Sequence, residues 1–104
     1  MLFRSEIGVV NPIAEIGAVC RDAGVALMVD AIQAFGKIDL DPRAMGISIL
    51  TLSGHKIYAP KGVAALYVDE SLELEPLIHG GGQERGLRSG TENVESIEIG
   101  RAHV

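Results

Sequence analysis

The sequence predicts an α/β fold with strands of the parallel-sheet kind, and three observations carry that expectation. The elements run in the order helix, strand, short helix, strand, strand, the alternation of layered α/β domains. Val25–Val29 is an unbroken apolar run that ends in Asp30, as expected of a strand buried on both faces. A second apolar segment, Ile47–Leu52, runs directly into the small and polar residues Ser53-Gly54-His55-Lys56.

Along the chain, residues up to Val10 read as a loop and short strand. Asn11-Pro12 marks a helix start, with Asn as N-cap and Pro at the first helical position. Ile13, Ile16, Gly17 and Cys20 share one face of that helix, and Gly24 is its natural stop. After the Val25–Val29 strand comes a turn-rich segment with Gly36 and Asp41-Pro42, and a short helical piece is expected around Arg43–Met45. Ile47–Leu52 is the second strand and Val63–Val68 the third. Residues 69–76 are acidic and expected to be exposed. His79–Thr91 is a loop rich in glycine and arginine, and a last helix is expected near Thr91, with Glu92 and Glu95 favouring its positive end.

With 104 residues, 47% hydrophobic and 22% charged, the chain has material for one small core. Three strands do not cover both faces and both edges of an open sheet. The pattern also stops inside a helix, so residues 1–104 read as a piece of a larger domain, incomplete at both ends. A formal net charge of −5 disfavours binding to a phosphate backbone. No stretch is long and apolar enough to span a membrane. Cys20, the lone cysteine, permits no internal disulfide and fits a reducing cytosol. The scattered His and Cys give no metal-ligand spacing, and His103 is assigned no role.

Chemistry is expected at the strand ends, where ligands bind in open α/β sheets. Asp30 ends the first such strand; an isolated carboxylate there calls for a cationic partner or a protonated ligand nitrogen, against the plainer reading of a loop or cap Asp. Lys56 follows the second. Most lysines are simply solvated, but this one lies between Ser53-Gly54-His55 and the turn Pro60-Lys61-Gly62. A partly desolvated lysine can lose its proton and form a Schiff base. Ser53 and His55 can hydrogen-bond a phosphate beside it. His79-Gly80-Gly81-Gly82 is neither a P-loop nor a dinucleotide fingerprint. Arg85, Arg88, Ser89 and Thr91 suit an anion about as well as the loop suits a plain solvated connection. Cys20, on an apolar helix face, reads as a packing residue.

Four segments together resemble the cysteine desulfurases that supply sulfur for iron–sulfur clusters. They are Glu6–Val10, Val29-Asp30-Ala31-Ile32-Gln33, Ser53-Gly54-His55-Lys56-Ile57-Tyr58-Ala59-Pro60-Lys61-Gly62, and Gly80–Asn93 with its Gly-Gly-Gly-Gln-Glu-Arg-Gly-Leu-Arg-Ser-Gly-Thr run. The resemblance covers nearly the whole chain and implies part of the mainly parallel-sheet large domain of a fold type I, class V aminotransferase-like enzyme dependent on pyridoxal 5'-phosphate (PLP). It implies that Lys56 carries the cofactor and moves the substrate's α-proton. Asp30 would pair with the pyridine nitrogen, Gln33 with the phenolic oxygen, and Ser53 and His55 with the phosphate. Thr91 would reach the partner's cofactor phosphate across a homodimer interface. The implied reaction takes sulfur from L-cysteine, leaves L-alanine, and passes the sulfur through an enzyme persulfide to an acceptor or scaffold protein in the cytoplasm. The family's persulfide cysteine and substrate-carboxylate arginine lie beyond this stretch, and its ring-stacking histidine before it; Cys20 matches none of them. Arg4-Ser5 stand where the family usually has Asn-Asn. The isolated chain is therefore expected to be inactive. Selenocysteine lyase, another class V aminotransferase-like enzyme, or a non-catalytic truncated remnant are the alternative readings.

Overall fold

The structure, a computed structural model, describes residues 2–102; His103 lies outside them. Its first element is a small antiparallel hairpin, β1 (Phe3–Arg4) and β2 (Val9–Val10). Backbone bonds from Leu2 N to Asp30 O (2.9 Å) and from Asn11 N to Leu2 O (2.9 Å) tie this hairpin to the next strand.

Helix α1 spans Ile13–Asp22, with Pro12 at its N-cap and no side-chain capping bond. The expected Asn11 cap is thus displaced by one residue; Asn11 instead joins the hairpin through its backbone N–H, and its carbonyl accepts from Ile13 N at 2.8 Å. The other end follows the sequence. Gly24 takes φ +66, and bonds from Gly24 N to Arg21 O (3.1 Å) and Val25 N to Cys20 O (2.9 Å) close the helix with its last carbonyls satisfied.

Three strands form the main sheet in the order β3 (Met28–Asp30), β4 (Ile49–Ser53), β5 (Ala64–Val68). β3 and β4 are parallel, with Asp30 level with Thr51; β4 and β5 are antiparallel. The first strand is shorter than its apolar run. Val25 N closes the helix and Leu27 N bonds the Ser48 hydroxyl at 3.1 Å, so neither amide joins the ladder; Leu27 contributes only its carbonyl, which accepts from Ile49 N at 3.1 Å. Nor is β3 covered on both faces within this chain, since Val29 is 1% exposed while Met28 is 61% exposed. The helical piece expected at Arg43–Met45 is a turn, closed by Met45 N on Asp41 O and by Ala44 N on the Asp41 side chain.

Leu2, Ile13, Val29, Ala31, Ala34, Ile47 and Leu50 form the buried core, which fastens the hairpin, α1 and the crossover onto β3 and β4. α1 approaches the crossover closely at Gly17, where an added Cβ would fall 1.9 Å from Met45 O. Beyond β5, α2 spans Val94–Arg101, and its N-cap Asn93 accepts a bond from Ser96 N at 3.2 Å. It starts later than expected from Thr91; Glu95 is in its first turn and Glu92 precedes it.

Candidate active site

The parallel pairing of β3 and β4 sets their carboxyl ends side by side. Asp30, the last residue of β3, is level with Thr51, and β4 runs two residues further to Ser53, about 7 Å at the usual rise. The chain then enters a 3-10 turn, Gly54–Lys56. Asp30, Ser53, His55 and Lys56 are therefore gathered at one end of one sheet, with Gln33 in the turn that follows β3.

Each side chain has a defined local role. Asp30 is half-buried and its Oδ1 accepts a bond from Ile32 N at 2.9 Å. No cation within ion-pairing distance answers Asp30 among the described residues. The loop-Asp reading accounts for one of its oxygens and leaves the other to a donor from outside. Gln33 is half-buried, and its Oε1 accepts from Lys37 Nζ at 3.2 Å. That bond leaves Nε2 as a donor. Ser53 Oγ and His55 Nδ1 are 2.8 Å apart, a hydroxyl–imidazole pair at the strand tip. Lys56 is exposed and has no ion-pair or hydrogen-bond partner among the described residues.

The turn that carries Lys56 is fixed by backbone packing. Gly54 is buried, its amide bonds Val63 O at 2.9 Å, and its carbonyl accepts from both Ile57 N (2.9 Å) and Ala59 N (3.0 Å). A Cβ on Gly54 would meet Val63 Cγ1 at 2.6 Å and Ala59 Cβ at 2.9 Å, so glycine is required for contact rather than for φ. Tyr58, two residues past the lysine, has φ 67.

Thr91 is exposed and comes from a separate element, the end of the glycine loop. That loop is folded upon itself. Ser89, 6% exposed, accepts a bond on Oγ from Gly82 N at 3.2 Å, and Gln83 Oε1 accepts from Gly90 N at 3.0 Å. Arg88 caps the return by donating to Ser89 O at 3.2 Å. Glu84 and Arg85 both lie in the left-handed region, at φ 49 and φ 60.

Sequence reasoning missed several of these features. Ser89 and Gln83 were visible only as members of a polar loop, and nothing in their spacing marks them as its internal clasps. The Gln33–Lys37 bond did carry a signal, the i,i+4 interval. Tyr58 carried none, because left-handed backbone is ordinarily announced by Gly or Asn. Cys20 is half-buried on α1, less enclosed than a packing role predicts. Among the described residues, no group of three or more His, Cys, Asp or Glu is arranged to hold a metal ion, and no helix is long and apolar enough to cross a membrane.

The topology places an amine, a carboxylate and a hydroxyl–imidazole pair at the carboxyl ends of two adjacent parallel strands, the end of an open α/β sheet where ligands bind. The chain belongs to the aminotransferase class-V family, whose family model matches residues 1–101. It is 47% identical over 97 residues to the cysteine desulfurase IscS of Clostridium botulinum (strain Hall), covering 93% of this chain and 24% of that protein. With the cysteine desulfurase IscS of Ehrlichia chaffeensis the identity is 52% over 94 residues, covering 88% and 23%. Among solved structures, SspA in complex with cysteine superposes with a TM-score of 0.90 at 48% identity, over 97% of this chain and 30% of that one. The NifS-like protein from Rickettsia africae superposes with a TM-score of 0.91 at 41% identity, over 98% and 29%. The chain spans about a quarter of the length of the curated relatives it matches.

Proposed function

We propose that this chain is part of the cofactor-binding large domain of a PLP-dependent cysteine desulfurase, with Lys56 as the residue that holds the cofactor covalently. The observation that carries the reading is the placement of Lys56 just past the tip of β4, beside the parallel strand that ends in Asp30.

The donor set fits PLP group by group. Lys56 offers an unengaged amine for the aldehyde. Asp30 offers a carboxylate oxygen for the ring nitrogen, and a protonated nitrogen there supplies the cation that a half-buried carboxylate lacks. Gln33, with its carbonyl taken by Lys37, has an amide N–H to give the phenolic oxygen. Ser53 and His55 supply the hydroxyl and imidazole for the phosphate, and Thr91 of a second subunit adds a further hydroxyl across a homodimer interface. When bound, the cofactor supplies an electron sink for the carbanion formed at the substrate α-carbon. Lys56 would be the base that moves the substrate's α-proton.

The substrate we assign is L-cysteine. A thiolate attacks its sulfur, the carbon–sulfur bond breaks, the carbon takes up a proton, and the products are L-alanine and an enzyme persulfide. Cys20, half-buried on α1, does not match the sulfur-accepting position, so we assign that thiol to a part of the protein outside these residues. A sulfur-acceptor or scaffold protein for iron–sulfur cluster assembly then takes the sulfur, in the cytosol, where a lone thiol stays reduced.

Borohydride trapping tests the reading. PLP is added to the purified protein, the adduct is reduced, and the modified peptide is mapped. Label confined to Lys56 is the expected result. Label spread evenly over Lys37, Lys56 and Lys61 overturns it, as does absorbance from a bound cofactor that survives Lys56→Ala.

A further inference from the structure

The glycine loop that ends at Thr91 is tied across its own base twice, and the two ties mirror each other. Gln83, on the outgoing side, accepts on Oε1 from Gly90 N at 3.0 Å. Ser89, on the returning side, accepts on Oγ from Gly82 N at 3.2 Å. Each side chain thus satisfies the backbone of the opposite side, as the two partners of a helix capping box do. A third bond, from Ser89 N to Ile78 O at 3.1 Å, fastens the returning side to the residues before the loop. Ser89 is buried, and a hydroxyl removed from water is costly to leave unpaired. The Gln83 amide lies against a glycine: a Cβ on Gly81 would fall 2.8 Å from both its Nε2 and its Oε1. Gly81 is not in the left-handed region, so the bare backbone there makes room for the Gln83 side chain. Residues between the ties close on themselves, with Gly86 N bonding Gly82 O and Gln83 O, both at 3.0 Å. Thr91 is the first residue past this clasp. It is exposed and makes no hydrogen bond of its own among the described residues. Its place is therefore inherited from Gly90, whose amide the clasp holds.

We propose that Gln83 and Ser89 are positioning residues, whose reciprocal clasp fixes Gly90 and so sets the point from which Thr91 offers its hydroxyl to the cofactor phosphate of a second subunit. This inference rests on the reading of Thr91 as a phosphate ligand across the homodimer interface, and it assigns the placing of that ligand to two side chains that do not touch the cofactor.

Clasp and ligand are separable in the purified protein. Gln83→Met keeps the length of the side chain and removes the acceptor oxygen. Ser89→Ala removes the hydroxyl. Gly81→Ala keeps both acceptors and pushes the Gln83 amide away from Gly90. Gln83→Glu keeps an acceptor oxygen, and Thr91→Val removes only the ligand. The first readout, independent of cofactor, is amide hydrogen exchange at Gly82 and Gly90. Loss of either acceptor is expected to speed exchange about tenfold at both amides, since each bond holds the side that the other needs. Gln83→Glu is expected to leave both protected. The second readout is the dissociation constant for PLP. Thr91→Val is expected to weaken binding about tenfold, and Gln83→Met, Ser89→Ala and Gly81→Ala about threefold to tenfold. Gln83→Met combined with Thr91→Val weakens it no further than Thr91→Val alone, because a displaced hydroxyl and an absent one are equivalent. A purely structural role would give additive losses. The melting temperature of each variant checks folding, and the exposed Gly81→Ala change carries the test even where Ser89→Ala unfolds.

Additive losses of PLP affinity in the double variant overturn the proposal, as does wild-type affinity in a Gln83→Met protein whose Gly90 amide has lost its protection. Wild-type exchange at Gly82 and Gly90 in both Gln83→Met and Ser89→Ala overturns the clasp itself. Wild-type affinity in Thr91→Val removes the phosphate reading of Thr91 instead, and the positioning role with it, while exchange in Gln83→Met still reports whether the clasp exists.

Discussion

Gly54→Ala adds one methyl group where three atoms already stand: Val63 Cγ1 at 2.6 Å, Ala59 Cβ at 2.9 Å and Val63 O at 3.0 Å from the new Cβ. Carbon atoms in contact normally sit near 3.5–4.0 Å. A rotation of Val63 about χ1 relieves the first overlap. The other two involve Ala59 Cβ and a backbone carbonyl, and relieving them means moving the turn away from β5. Overpacking of this kind costs about 1–3 kcal/mol. Against it stands the reduced entropy of the unfolded chain when Gly becomes Ala, about 0.4–1 kcal/mol in favour of the variant. That gain applies because Gly54 is not in the left-handed region. The clash wins, and the net loss is about 1–2 kcal/mol.

Urea denaturation reads this directly. With a slope of about 1 kcal/mol per molar for a chain of this size, the midpoint falls by roughly 1–2 M with the slope unchanged. Val63→Ala in the same background removes Cγ1 and recovers part of the loss. The two substitutions are then non-additive, as expected for atoms in contact. Because Gly54 also accepts the two bonds that shape the Lys56 turn, the share of trapped cofactor on Lys56 falls as well. A Gly54→Ala protein as stable as the wild type refutes the packing argument, and additive effects with Val63→Ala refute the claim that Val63 is the obstacle.

Two further outcomes follow from local geometry. Asn93→Ala removes the bond to Ser96 N and lowers stability by about 1 kcal/mol, a drop of roughly 4–8 °C in a thermal melt; an unchanged melt would show that α2 does not depend on its cap. Asp69 is held below the usual aspartate range, first by the Ser71 hydroxyl (2.6 Å) and then by the Ser71 amide (3.0 Å), with Tyr67 and Arg43 adding to the effect and desolvation opposing it. Since the folded value is the lower one, this contribution is complete above the unfolded pKa and drains away as pH falls through the folded pKa. Ser71→Ala should raise the Asp69 carboxyl titration followed by NMR, and a midpoint that stays put refutes the assignment of cause.

Which parts of this molecule were legible in advance depends on whether one residue or several decide an outcome. The stop of α1 was readable because Gly24 alone adopts the conformation that closes it. The start was not, because Asn11-Pro12 offers two adjacent residues as the entry and the helix begins one residue later than the Asn cap would put it. Strand positions were readable from apolar runs, but their limits were not. Ile47 N is drawn to Pro42 O at 2.8 Å and leaves the ladder, so β4 begins at Ile49 rather than Ile47. Parallel pairing of β3 with β4 was implied by their continuous apolar composition, whereas the antiparallel return of β5 leaves no mark on an apolar segment.

The site divides along the same line. The strand ends that carry Asp30, Ser53, His55 and Lys56 were legible because a strand that ends in a polar residue announces its tip, and two adjacent parallel strands bring their tips side by side. What stayed hidden is the apparatus that holds them. It lies in contacts between residues far apart in sequence or in backbone angles that side-chain identity does not encode. Gly54 is wedged by a valine nine residues on, and an aromatic residue occupies the left-handed position. The chemistry proposed for this site thus rests on residue types at strand ends, and its geometry on packing. A substitution that keeps every reactive group, such as Gly54→Ala, is the one expected to separate the two.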